Sequence, residues 1–395
     1  METILKSYLL SELVDSLGCS YGKDSGEMEV ELEVVKVSNI NSQGRFHKKF
    51  ETRSFSQKEV AKLSCKKGDL LVVKSSGSKK NILSGKTAIC DIEHEGALVA
   101  TNFLMRLRPN KELVEPKYLW YVLNSEKTKD FIKTIVGTTT YPNLRWNMYG
   151  RLKVELPTLA EQQRVTAILD KADEINSASK SMQEIREKLI FSTFNSMFEN
   201  VPLTKIDPLH FQMIDGDRGA NYPKREEFSS KGYCLFLSTK NVRHDGFEFT
   251  KTEYVSKERH EKLRKGHLQR NDVVLTTRGT VGNVALYDES VQIDVVRINS
   301  GMLILRPNAK VINPRYLFHL IQMPVVQRQF DRIASGSAQP QLPIIQLRRL
   351  EIPIPSLKLQ NKFAEIVNNM VKLDCYTLQE KTGTLPLSLL QDLIS

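Results

Sequence analysis

Residues 156–175 read LPTLAEQQRVTAILDKADEI, and residues 354–373 read IPSLKLQNKFAEIVNNMVKL. They lie 198 residues apart in a chain of 395, half its length. A repeat at that spacing signals two copies of one unit. Sliding the same offset extends the match. Arg108-Pro109-Asn110 falls on Arg306-Pro307-Asn308, and Pro116-Lys117-Tyr118-Leu119 on Pro314-Arg315-Tyr316-Leu317. IVGTTTYPNL (135–144) falls on IASGSAQPQL (333–342), Pro157 on Pro355 and Gln162 on Gln360. The register holds without a gap from Arg108 to about Ile175, too long for chance.

Upstream the match survives small changes of length. KKGDLLVVKSSGS (66–78) resembles QRNDVVLTTRGTVG (269–282), and VKVSNIN (35–41) resembles LFLSTKN (235–241). Between these islands the copies differ freely, as expected of a shared scaffold whose surfaces recognise different things. Each copy begins with short β-rich runs (LEVVKV, DLLVVKS, ALVATNFLMRL; CLFLST, DVVLTT, SGMLILR) separated by Gly, Asn and Ser, the pattern of a small mixed sheet domain. Proline closes each: Pro157 in one, Pro353 and Pro355 in the other.

A helical part follows. Val165, Ile168, Leu169, Ala172, Ile175, Met182, Ile185, Leu189 and Phe194 recur at spacings of three and four, and no Gly or Pro intervenes before Pro202. At 1.5 Å per residue, 159–199 makes a helix of about 60 Å, and its stripe is a candidate coiled-coil seam. The second copy offers Phe363, Ile366, Val367, Met370 and Leu373 before Gly383 and Pro386 interrupt it. The spacing predicts helices over 159–198 and 357–382, packed antiparallel, with Val165, Ile168, Ala172 and Ile175 against the Phe363–Leu373 seam.

The totals are those of an ordinary soluble protein, with 40% hydrophobic and 26% charged residues. No apolar run approaches the roughly 20 residues that span a bilayer, and the first residues lack the features of a signal peptide. A cytoplasmic protein is expected. Five scattered cysteines form no CxxC pair and read as reduced thiols. The net charge of +11 favours a polyanionic partner, nucleic acid first.

At this point the chain resembles a known family. The LPTLAEQQRV string (156–165), the VGTTTYPNL segment (136–144) and the half-length repeat look like the specificity subunit of type I restriction-modification enzymes. The second copy departs from the string, with Lys358-Leu359-Gln360-Asn361 in place of Ala-Glu-Gln-Gln. The resemblance implies an α+β fold: two pseudo-symmetric target recognition domains of mixed sheet and short helices, separated by two long antiparallel coiled-coil helices. The expected boundaries are 1–157 for the first domain, 158–199 for the first spacer helix, 200–355 for the second domain, and 356–395 for a second helix broken near 383–386. It implies double-stranded DNA as ligand, with a bipartite, non-palindromic site. It also implies two methyltransferase (modification) subunits and, in the restricting complex, motor-nuclease subunits.

Chemistry within the chain is not expected. There is no Pro-Pro for an adenine-methyltransferase tetrapeptide, no GxxxxGK(S/T) loop, no Pro-Asp dipeptide of a common nuclease core, and no HxxxH or HExxH. No cofactor, metal or catalytic residue is assigned. Other readings are the recognition portion of a fused methyltransferase-nuclease, or a coiled-coil scaffold that touches no DNA.

Candidate DNA contacts are polar and basic loop residues. Lys74, Ser75, Ser76, Ser78, Lys79 and Lys80 combine backbone NH groups, hydroxyls and charge; Thr276, Thr277, Arg278 and Thr280 are their counterparts. Such stretches hold phosphates well, with a solvated loop as the competing reading. The stretches Gly137-Thr138-Thr139-Thr140 and Ser335-Gly336-Ser337-Ala338-Gln339 occupy matching places, so Thr138, Thr139, Thr140, Ser335, Ser337 and Gln339 are shared DNA contacts or parts of shared turns. Base readers are expected where the copies diverge: HKKFETR (47–53) in one, and Arg218, Lys224, Arg225 and Arg243, with His244 beside it, in the other. Solvated surface charge competes for each. Tyr141 and Trp146 read as core residues.

Overall fold

The computed structural model describes residues 5–41, 43–47, 49–75, 77–78, 81–91, 96–136, 143–219, 222–244, 246–334 and 340–382. The chain divides into two compact units, Met1–Ala178 with Thr382–Ser395, and Ser179–Lys381. In the first, strands Val14–Leu17, Leu104–Pro109, Leu70–Val73 and Thr87–Ile89 lie in that order, all antiparallel. A second sheet orders Glu51–Phe55, Val30–Val35 and Leu98–Ala100, the last pair parallel.

The second unit repeats both sheets. Phe211–Asp215, Met302–Pro307, Asp272–Thr276 and Val284–Tyr287 form the antiparallel one. Tyr254–Val255, Cys234–Leu237 and Val296–Ile298 form the mixed one. The registers repeat as well. Leu104 faces Val73 and Leu107 faces Leu70, as Met302 faces Thr276 and Leu305 faces Val273.

The central strands show why their sequences are uninterrupted apolar runs. Side chains alternate between sheet faces. Leu70 and Val72 join one core while Leu71 and Val73 join another; Val273 and Leu275 do the same against Val274. Ahead of each strand the chain turns through a left-handed residue, Gly68 (φ 92°) or Asn271 (φ 73°). A buried aspartate follows. Asp69 takes Arg108 in a two-point ion pair, Nε and Nη2 both at 2.7 Å, and Asp272 takes Arg306 likewise at 2.8 Å. The repeated Arg-Pro-Asn thus marks a structural pair.

The two repeated Gln residues are also explained. Gln162 and Gln360 are 1% and 0% exposed. The amide oxygen of Gln162 accepts from Glu115 N at 2.9 Å, and its Nε2 donates to the Pro157 and Leu113 carbonyls at 2.9 and 3.3 Å. Gln360 makes the same three bonds, to Asn313 N, Pro355 O and Val311 O at 2.9, 2.8 and 3.0 Å. Each fastens the first turn of a long helix to its sheet domain, beside a short helix that begins with proline, Pro116–Leu123 or Pro314–Gln322.

The long helices span Leu159–Phe198 and Leu357–Thr382. Val165 and Leu169 are buried in the first unit's own core. Phe363 and Val367 instead join Ile190, Phe194 and Phe198. Phe194 and Phe198 stand 5.7 and 5.5 Å from the Phe363 ring. Earlier on that helix Arg186 and Ile190 share a cavity of about 870 Å³ with Val371. Earlier residues of one helix thus face later residues of the other, so the two run antiparallel there.

The expected seam is therefore corrected. Val165 seals its own domain, and the partners of Phe363 lie further along the helix. Ile185 and Leu189, read as stripe positions, are 63% and 48% exposed. Between Leu169 and Ile190 the helix has no buried residue. The break expected near 383–386 lies outside the described residues.

Burial in this aromatic cluster pushes the His319 imidazole down to about 3, with Arg315 and Arg186 adding to the effect, so it is neutral. Cys19, Cys65, Cys90 and Cys234 are free thiols. No helix among the described residues is long and apolar enough to cross a membrane.

Candidate nucleic-acid interface

In each unit three segments converge at the end of the central strand. In the first unit Lys74 N donates to Phe103 O at 2.9 Å, and Leu144 N donates to Lys74 O at 2.7 Å. Ser75 bridges to Asn143. In the second, Thr277 N and Arg278 N donate to Gly301 O at 2.8 and 3.1 Å, and Leu342 N donates to Thr277 O at 3.0 Å. Arg278 bridges to Gln341. The structure thus joins the Lys74 and Thr277 loops to the chain that immediately follows the two hydroxyl-rich stretches. Ser76, Lys79, Lys80, Thr138, Thr139, Thr140, Ser335, Ser337 and Gln339 themselves lie outside the described residues, as does the Ser78 side chain.

Arg278 is exposed and lines a cleft of about 270 Å³ with Arg218, Asp215, Gln341 and Ile345. Arg218 is oriented there by Asp215 at 3.1 Å and leans on Ser300 O at 3.4 Å. Gly279, at φ 75°, lies against Thr239. Two arginines and an amide on one concave surface are suited to phosphate oxygens or a guanine edge.

Two threonine assignments are corrected. Thr276 and Thr277 are 0% and 7% exposed. Thr276 Oγ1 donates to Thr280 O and accepts from Asn283 N, while Thr277 Oγ1 donates to Gly301 O at 3.1 Å. Their hydroxyls brace the turn that presents Arg278. Thr280 itself is exposed.

Arg243 is exposed on a hairpin fastened to that turn by the bond from Asn283 Nδ2 to Val242 O, 3.0 Å. Beside it, His244 stands 4.0 Å from Glu187. Lys224 and Arg225 are exposed on a separate short turn, where Lys224 N bonds the Glu227 carboxylate.

Arg53, in the HKKFETR stretch, is spoken for. It pairs with Asp24 and Glu51 and lies 4.4 Å over the Tyr21 ring, with its side chain 17% exposed. It therefore braces a sheet edge. Trp146 packs partly buried against the first unit's core; Tyr141 lies outside the described residues. Sequence reasoning missed Phe103, 61% exposed beside Lys74, because an aromatic inside the apolar run ALVATNFLMRL reads as core.

The first unit also grips its helix through charge. Lys117 reaches Asp170 and Arg45 reaches Asp173, both at 2.6 Å, while Tyr121 OH donates to both carboxylates. Burial and those carboxylates push the Tyr121 phenol well up, so it stays protonated as their donor.

Two copies of one mixed-sheet module keep matched internal pairs, while the matched positions Phe103 and Gly301, and Ser75 and Arg278, carry unlike groups. The chain belongs to the type I restriction modification DNA specificity domain family, whose model matches residues 23–187 and 213–382. Among characterised relatives it is similar to the type I restriction enzyme MjaIX specificity subunit of Methanocaldococcus jannaschii, 19% identical over 65% of this chain and 62% of that one. The putative MjaX specificity subunit of the same organism is 23% identical over 90% of this chain and 83% of its own. This chain thus spans less than two thirds of the MjaIX subunit's length. The fold is similar to the crystal structure of a type I restriction-modification system S subunit from M. genitalium, with TM-score 0.61 and 16% identity, covering 100% of this chain and 95% of that one.

Proposed function

We propose that this chain is the DNA-reading subunit of a type I restriction-modification complex. Each unit reads one half of a bipartite, non-palindromic site in double-stranded DNA. Methylation and cleavage belong to partner chains: two methyltransferase subunits, with motor-nuclease subunits in the restricting form. The complex acts in the cytoplasm. The carrying observation is that the two units keep the same internal bonds at Asp69 and Asp272 and at Gln162 and Gln360. Yet they present Lys74 and Phe103 in one, and Arg278 and Arg218 in the other, at the converging loops. A scaffold that only held partners together would gain nothing from that divergence.

In its host the chain should co-purify with a methyltransferase, and methylation mapping of the host DNA should find one split, asymmetric sequence. A chain recovered without a methyltransferase, or a palindromic methylated site, sinks the proposal.

Affinity should be largely electrostatic. A contact that neutralises one phosphate contributes about 0.9 to the slope of log K against log salt. Lys74→Ala or Arg278→Ala should each lower that slope by about one and leave the preferred sequence unchanged. A changed sequence with an unchanged slope would make that residue a base reader.

A further inference from the structure

A lone exposed aromatic is ordinary on a protein surface; the place of Phe103 is not. It sits in the tight turn Thr101–Leu104, closed by Leu104 N to Thr101 O at 2.9 Å. Thr101, 1% exposed, anchors that turn by donating both its N–H and Oγ1 to Val35 O, at 3.1 and 2.9 Å. The carbonyl of Phe103 holds Lys74 N. A ring 61% exposed therefore stands on a rigid base beside a candidate phosphate contact.

The matched position of the second unit is Gly301. A Cβ there would lie 3.0 Å from Thr239 Cγ2 and 3.2 Å from Asn299 Oδ1, so a side chain fits only if those two give by a few tenths of an ångström. Where the first unit raises an aromatic ring, the second leaves the cleft of Arg218, Arg278 and Gln341. At this matched point the first unit carries an apolar ring and the second carries no side chain beside its polar cleft.

In the major groove, base edges display donors, acceptors and one apolar group, the thymine C5-methyl. A phenyl ring has nothing to offer the first two. We propose that Phe103 is a specificity-determining residue of the first unit and recognises a thymine methyl in the half-site that unit reads. Lys74 sets the register on a neighbouring phosphate. The inference rests on the DNA-reading function proposed above.

The test uses the full-length chain with its partner subunits and duplexes carrying the mapped site. Each thymine of the first unit's half-site is replaced singly by deoxyuridine. Binding is measured for the wild type, Phe103→Ala and Phe103→Leu. At one position the missing methyl should weaken the wild type about fourfold, one methyl's worth. It should weaken Phe103→Ala no further, with Phe103→Leu in between. Thermal unfolding of both variants should match the wild type, since the ring is exposed. A half-site lacking thymine, equal wild-type binding to every deoxyuridine duplex, or a full penalty persisting in Phe103→Ala overturns the contact. If the wild type does not prefer the mapped site to random DNA, the DNA-reading function falls and the contact with it.

Discussion

Asp272→Ala is expected to destabilise the second unit by about 3–5 kcal/mol, the usual cost of breaking a buried ion pair from one side. Asp272 is 1% exposed and both its oxygens are occupied. Oδ1 takes Arg306 Nε and Oδ2 takes Arg306 Nη2, each at 2.8 Å, while Oδ2 also accepts from Gln269 N at 2.7 Å. The substitution leaves the Arg306 guanidinium, whose side chain is 24% exposed, with the His267 carbonyl at 3.1 Å as its remaining hydrogen-bond partner among the described residues. It also frees the turn that holds Asn271 in its left-handed conformation. Asp69→Ala should act the same way on the first unit, where Asp69 receives Arg108 and Lys66 N. Asp272→Asn keeps the turn acceptor and loses the charge, so its cost should fall between wild type and alanine. Denaturant unfolding of the full chain reads all three. A loss under about 1 kcal/mol for either alanine variant would mean that the pair behaves like an exposed salt bridge.

The repeat was legible because the groups that must match are joined locally or at a fixed offset. Gln162 and Gln360, Arg108 and Arg306, and the apolar central strands all survive the same slide along the sequence. What each does was not legible, since its partner lies far away in sequence: Gln162 reaches Glu115, and Arg108 reaches Asp69. Some equivalences escape any slide. Arg106 donates to the carbonyls of Lys62, Leu63 and Ser64, at the end of helix Gln57–Leu63. In the second unit Arg297 donates to those of His260, Leu263 and Lys265, around the end of helix Lys257–Lys262. Yet Arg106 aligns with Ile304 and Arg297 with Val99, on different strands. The same helix end is satisfied from two directions. Arg53 failed as a base reader for a related reason. An arginine in a divergent loop looks free until Tyr21, Asp24 and Glu51 are folded beside it.

Exchanging the first sheet domain for that of a relative should change one half of the recognised sequence and leave the other half intact. The bonds within the first unit decide where the exchange must be cut. A cut at Pro157 would separate Glu115 from Gln162, Lys117 from Asp170, and Arg45 from Asp173. Gln162 would then leave buried polar groups unpaired at the start of the helix, at about 1–3 kcal/mol each. The graft should therefore either keep Arg45, Glu115, Lys117 and Tyr121 in a replacement of about 10–150, or carry the donor's helix as far as Ala178. With the clamp intact, the second unit keeps Arg218, Arg278 and Gln341 on their own scaffold, and nothing in its half-site should move. Methylation mapping of the exchanged complex gives the answer directly. Conversion of both halves at once would mean that the two units are not independent readers, and the divergence between Phe103 and Gly301 would then need another cause. Loss of all methylation with the clamp kept, but its return when the donor helix is included, would instead assign the helix contacts a part in holding the reading loops to the DNA.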